Sequence, residues 1–278
     1  MIIKDQTFDE ERALYGSKGL EVRSCRFDGP ADGESALKES SDISVKDCFF
    51  NLRYPLWHVK GLKIEGSEMT ELCRAALWYS HGIKITDTKM HGIKALRECS
   101  DVTITGCDIV SPEFGWSVDR IDMTSSSAVS EYFMMRSSDL RFENVKLDGK
   151  YSFQYITDSV FTNCTFDTKD AFWHARNVTV KDSVINGEYL AWYSEDVVFE
   201  NCTIRGTQPL CYCKGLKLIN CLMEDCDLSF EKSDVEADIV SPVVSIKNPS
   251  SGRIKVKSLS ELIMDDPEAS CIVETEEG

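Results

Sequence analysis

The sequence predicts an all-β protein, a single-stranded right-handed parallel β-helix of about 13 coils of about 19 residues, and three observations carry that expectation. A β-branched or leucine anchor recurs through the chain, from Ile83 onward at every nineteenth residue. A second apolar residue follows each anchor by two positions, the alternation of a half-buried strand. All five tryptophans, Trp57, Trp78, Trp116, Trp173 and Trp192, are spaced 21, 38, 57 and 19 residues apart, and three of those spacings are multiples of 19.

The anchors begin at Leu20, Ile43, Leu62 and Ile83 and continue through Val102 and Ile121 to Val235 and Ile254. Four residues after an anchor stands a turn former, such as Asp47, Gly66, Asp87, Asn163 or Asn201, which tolerates the left-handed backbone of a sharp bend. The next position is small, as in Cys25, Cys48, Ser67, Thr88, Cys107, Cys164, Ser183, Cys202 and Cys221, and reads as an inward corner ladder of thiols and hydroxyls. Such coils bury their apolar face only by stacking on neighbours, which makes one domain over residues 1–278 the expectation. Residues 1–19 read as an N-terminal cap, 20–258 as coils, and 259–278 as a C-terminal cap with an acidic tail that includes Glu274, Glu276 and Glu277.

Six residues before the anchor the chain is apolar or small, as at Leu56, Leu77, Phe153 and Phe172, so this column is expected inside. One residue later comes the tryptophan column, interrupted by Arg97, Met135, Gln154 and Cys211. Strand alternation, and the cost of burying Arg97 or Gln154 without partners, place that column outside. The following column holds His58, Tyr79, Glu98, Arg136, Tyr155, His174, Tyr193 and Tyr212. Together they form a wall of aromatic and polar groups suited to sugar rings or other planar, partly apolar ligands. Trp57, Trp78, Arg97, Trp116, Arg136, Tyr155, Trp173, Trp192, Tyr193 and Tyr212 are the expected ligand-binding residues. A parity shifted by one residue would turn the indoles inward, and a large apolar patch could instead meet a second subunit.

Chemistry converges on two places. Glu98 and Asp119, beside Arg97 and Arg120, offer paired carboxylates of the kind glycoside hydrolysis uses. His174, between Tyr155 and Tyr193 in the coils on either side, offers a base or a ligand anchor. These three are the candidate catalytic residues. No Cys or His spacing reads as a metal site, and no cofactor motif is present.

The strings Arg97-Glu98-Cys99, Ser111-Pro112-Glu113-Phe114-Gly115-Trp116, Ala171-Phe172-Trp173-His174-Ala175 and Gly206-Thr207-Gln208-Pro209-Leu210-Cys211-Tyr212-Cys213 resemble a bacterial domain-of-unknown-function family of pectin-lyase-like right-handed β-helices. The resemblance implies the fold and no particular activity. Arg253-Ile254-Lys255 matches one element of polygalacturonase-type enzymes, but the other elements do not fall on adjacent coils.

The net charge of −16 and pI near 4.7 argue against a nucleic-acid partner, which requires clustered basic residues. Residues 1–20 lack the basic start and apolar run of a signal peptide, and no stretch is long and apolar enough for a membrane span. The expectation is a cytoplasmic protein with reduced thiols. It binds a carbohydrate or another small polar ligand along the aromatic wall, with or without processing it. The competing expectations are a scaffold or homo-oligomer that uses the wall as a protein interface, and a glycoside hydrolase or polysaccharide lyase.

Overall fold

The computed structural model describes residues 1–276 and contains strands joined by tight bends, with no helix among them. The fold is the all-β parallel solenoid, with about 14 turns of about 19 residues. The chain divides into two compact units, Met1–Arg141 and one beginning at Phe142.

In the first unit the long strands Ser41–Lys46, Lys60–Glu65, His81–Thr86, Ser100–Thr105 and Asp119–Thr124 pair in parallel, with Ile43, Leu62, Ile83, Val102 and Ile121 in register. Each anchor and the residue two beyond it are buried. A short second strand follows every bend, as in Phe49–Phe50, Glu68–Met69 and Lys89–Met90. It contributes a third inward column, Phe27, Phe50, Met69, Met90 and Ile109, in which Phe27 and Phe50 stack at 4.6 Å. Seven residues beyond each anchor, this column is visible in the sequence as one more apolar position of the same period.

In the second unit Thr157–Thr162, Arg176–Lys181 and Glu195–Glu200 repeat the arrangement, with Ser159, Val178 and Val197 in line. Phe153, Phe161, Phe166 and Phe172 form its densest apolar cluster, each pair lying 4.9 to 6.2 Å apart. The nineteen-residue period fails at the last predicted anchor. Val235 pairs with Gly252 and Ala237 pairs with Ile254, a step of 17 rather than 19, and the step falls to 16 beyond a register shift between Ile239 and Pro242, where Pro242 pairs with Ser258. Strand pairing also reaches into both segments expected to act as caps. Ile2–Lys4 pairs with Glu21–Arg23, and Ile272–Thr275 pairs with Arg253–Val256. Glu277, named above in the acidic tail, lies outside the described residues.

The small corner residues are buried, and they complete the hydrogen bonding of the bend. The Cys48 amide donates to Ser67 Oγ at 3.1 Å, the Cys107 amide to Ser126 Oγ at 3.1 Å and the Cys164 amide to Ser183 Oγ at 3.0 Å. Each hydroxyl or thiol in turn donates two residues back, as Ser67 Oγ does to the Glu65 carbonyl at 3.0 Å. An amide that the bend turns away from the strand ladder thereby finds a partner in the next coil. All twelve cysteines are free and buried. Burial pushes the Cys48, Cys99 and Cys213 thiols up to about 11 and the Cys211 and Cys226 thiols up to about 12.

Candidate aromatic binding face

The tryptophan column lies in a corner that is a turn at Trp57, Trp173 and Trp192 and a two-residue strand at Leu77–Trp78 and Leu96–Arg97. At alternate residues φ is positive: 59°, 59° and 61° at Tyr151, Phe153 and Tyr155, and 54°, 60° and 56° at Asp170, Phe172 and His174. This alternation breaks the in-out rule of a strand, because successive side chains no longer point to opposite faces. Ala171 and Phe172 are therefore both buried, Trp173 is half-buried and His174 is exposed. The expectation of an outward column thus needs correction at two positions: Gln154 is 8% exposed and Cys211 is fully buried.

Every indole is held by its N–H. Trp57 donates to the Ala75 carbonyl at 2.5 Å, and Trp78, Trp116, Trp173 and Trp192 donate to the carbonyls of Lys94, Tyr132, Tyr189 and Gln208, each at 2.7 Å. Gln154 occupies the same position and makes the same bond with its side-chain amide, to the Asp170 carbonyl at 3.1 Å. That bond meets the desolvation cost that had argued for exposure. The repeated tryptophan is thus first a staple, joining one coil to the corner of the next.

The ring faces are also occupied. Trp57 and Trp78 stack at 5.0 Å with planes 2° apart, and Trp173 and Trp192 at 5.5 Å with planes 5° apart. Arg97 fills the place of an indole, its guanidinium 5.2 Å from the Trp78 ring and 5.1 Å from the Trp116 ring. A delocalised cation between two electron-rich faces is a favourable filling for a gap in the column.

The next column carries the exposed groups. In the second unit Tyr155, His174, Tyr193 and Tyr212 form a continuous stack, with successive centroids 4.8, 5.2 and 4.8 Å apart and planes within 12°. Tyr155 and Tyr193 are each 46% exposed. In the first unit His58 and Tyr79 stack at 5.0 Å, while Glu98 and Arg136 stand exposed at the equivalent corner position. Because each ring covers its neighbour, a ligand meets ring edges, where the phenol oxygens and imidazole nitrogens lie. Tyr212 Oη donates to Glu231 at 3.4 Å, and Lys247 pairs with the same carboxylate at 3.0 Å. Partial burial, with Glu231 close by, raises the Tyr212 phenol above its usual range.

The candidate catalytic residues are held by different partners. Glu98 pairs with Arg97 at 3.6 Å. Asp119 pairs with Arg120 and accepts a hydrogen bond from Ser138 Oγ at 2.9 Å. Arg120 also reaches Asp101 at 2.7 Å, which holds the Asp101 carboxyl below its usual range. Asp101 and Arg120, but neither Glu98 nor Asp119, line a surface depression of about 420 Å³ with Asp122, Asp139 and Arg141, on the strand face rather than beside the indoles. His174 lies between two phenol rings, with its edge exposed.

A family model described as "Protein of unknown function (DUF3737)" matches residues 1–274. No curated protein matches the chain. Among solved structures, PfbA, a surface adhesin of Streptococcus pneumoniae, is similar at 9% identity over 93% of this chain and 81% of its own, with a TM-score of 0.45. The A-module of the Azotobacter vinelandii mannuronan C-5 epimerase AlgE6 is 9% identical over 94% and 90%, with a TM-score of 0.42. A GH136 lacto-N-biosidase from Eubacterium ramulus is 9% identical over 98% and 61%, with a TM-score of 0.30.

Proposed function

The chain belongs to this family of unknown function, and from that premise we propose that it binds a carbohydrate or glycoconjugate along the aromatic column, through ring edges rather than ring faces. The stack of Tyr155, His174, Tyr193 and Tyr212 carries this reading. It sets rings that carry hydrogen-bonding groups in a row, with centroids 4.8 to 5.2 Å apart, comparable to the length of one sugar residue in an extended chain. A polyhydroxylated ligand can exchange hydrogen bonds with such a row, while the half-buried indoles behind it offer apolar backing. The stack is already assembled by the fold, so little side-chain freedom is lost on binding.

The reading commits to binding. Glu98 and Asp119 are both engaged by arginines, and His174 is the member of the candidate catalytic set that belongs to the row itself. The test is a neutral-glycan array followed by calorimetry on His174→Ala and Tyr193→Phe. Each variant should weaken the selected glycan by about tenfold, the equivalent of one hydrogen bond in a partly dry site, with an unchanged melting temperature. An array without a hit, or unaltered affinity in both variants, overturns it. A dimer by light scattering whose tryptophan emission shifts on dilution would favour a protein interface.

A further inference from the structure

On the strand face of the first unit, charges in register on adjacent coils include opposite pairs, and where like charges meet, at Arg23 and Lys46, each has a carboxylate partner, Glu21 and Glu65. Lys46 meets Glu65 at 2.8 Å, and Arg120 meets Asp101 at 2.7 Å. The pairing of Lys60–Glu65 with His81–Thr86 also sets like charges together, Lys63 directly against Lys84. Leu62 and Ile83 are buried, so these two lysines project outward, and both are exposed. Like charges placed directly opposite work against strand pairing. Among the described residues, neither they nor the adjacent exposed Lys60 takes part in an ion pair or a side-chain hydrogen bond.

Beside the two lysines the outward column that carries Asp101, Arg120 and Asp139 in later coils carries Gly61 and Gly82 instead. Their φ values of 72° and 67° fit the left-handed conformation of that column. A Cβ at Gly82 would meet only the Gly61 backbone, at 3.7 Å, whereas one at Gly61 would meet Asp42 Oδ1 at 3.3 Å, so the space that side chains occupy in other coils is open at Gly82 and bordered by the Asp42 carboxylate at Gly61. The result is a depression of about 310 Å³, floored by the two glycines and flanked by Lys63 and Lys84, with Asp42 and Ser44 at its other end. Two ammonium groups without an ion-pair partner, beside a notch that holds a single carboxylate, Asp42, give this spot a local excess of positive charge in a protein of net charge −16.

We propose that this depression is an oxyanion-binding site that takes the carboxylate, sulfate or phosphate of an acidic saccharide. The saccharide part rests on the function proposed above; the oxyanion part does not. Lys63 and Lys84 hold the anionic group as paired point charges, and its arrival removes their mutual repulsion. Asp42 accepts from a hydroxyl of the same ligand and Ser44 donates to one, so a bare anion makes only half of the contacts.

The test is calorimetry of the full chain with an oligogalacturonate, a sulfated oligosaccharide, a hexose phosphate and inorganic phosphate. The proteins compared are the wild type, the double variant Lys63→Gln/Lys84→Gln and a control, Lys217→Gln, in the second unit. One acidic saccharide should bind the wild type and the control, bind the double variant at least about tenfold more weakly, and weaken as salt is raised. The double variant should melt at the same temperature or higher, because a repulsion has been removed. Undiminished binding by the double variant, or its melting at a clearly lower temperature, overturns the site. Inorganic phosphate binding as tightly as any saccharide overturns the saccharide part alone. Loss of neutral-glycan binding in Tyr193→Phe with the lysine site intact separates failure here from failure at the aromatic column.

Discussion

Arg97 shows what a single position contributes to the column. Its guanidinium stands between two indoles, and its side chain reaches out to Glu98. Arg97→Ala should lower stability by about 1–2 kcal/mol, the worth of two partly desolvated cation–π contacts, and shift the emission of Trp78 and Trp116 to the red. Chemical denaturation followed by fluorescence measures both effects, and an unchanged midpoint would show the contacts to be idle. Arg97→Trp should restore the midpoint, since an indole is the usual occupant of the column. Trp173 poses the complementary case. Trp173→Phe keeps an aromatic ring but leaves the Tyr189 carbonyl unpaired, and should lose about 1–2 kcal/mol. Trp173→Gln retains a donor, as Gln154 does, and should recover part of the hydrogen-bond loss.

At the scale of the strand and its bend, the corner ladder explains why thiols and hydroxyls interchange. Cys25 donates its amide to Cys48 Sγ at 3.4 Å, whereas Cys48 donates to Ser67 Oγ at 3.1 Å, so either atom serves as the acceptor. Cys48→Ser is therefore expected within about 0.5 kcal/mol of the wild type, and Cys48→Val, which leaves the Cys25 amide without its partner, about 1–3 kcal/mol below it. Urea titration of the two variants decides the matter. The anchors, their partners two residues on and this ladder were legible in the sequence, because each lies on a strand or its first bend, where polarity follows a simple alternation. The corner was not. A run such as Tyr151-Ser152-Phe153-Gln154-Tyr155 reads as alternating strand, yet Tyr151, Phe153 and Tyr155 adopt positive φ, which aromatic residues seldom do. Nothing in composition announces that, so Gln154 was expected outside and lies inside. The site was legible as a list of aromatic residues, but the use of their faces by one another became visible only in the stacking distances.

Across the molecule, the buried thiols set an alkaline limit. Cys48, Cys99 and Cys213 are held near 11 and Cys211 and Cys226 near 12, against an ordinary value of 9.0. In the folded chain each stays protonated to higher pH than in the unfolded chain. The stabilisation it lends is complete below 9.0 and is lost as pH rises toward 11 or 12. The melting temperature should therefore drop between pH ~9 and ~11, together with a rise in thiolate absorbance, while at neutral pH an alkylating reagent should modify these thiols only after unfolding. Thiols that are alkylated in the native protein would contradict the packing described for them.

The staples also give the repeat a direction. Each indole N–H, like the amides of Cys48, Cys107 and Cys164, finds its acceptor in the coil that follows, whereas the next amide of the same bend, as at Phe49 and Asp108, donates to the coil before. The staple and corner bonds of a coil are therefore completed by its successor. Loss of the trailing coil thus strands these indole and corner donors, while loss of the leading coil strands backbone donors of a different set, such as the amides of Ser44 and Phe49 that bond to the Leu20 and Cys25 carbonyls.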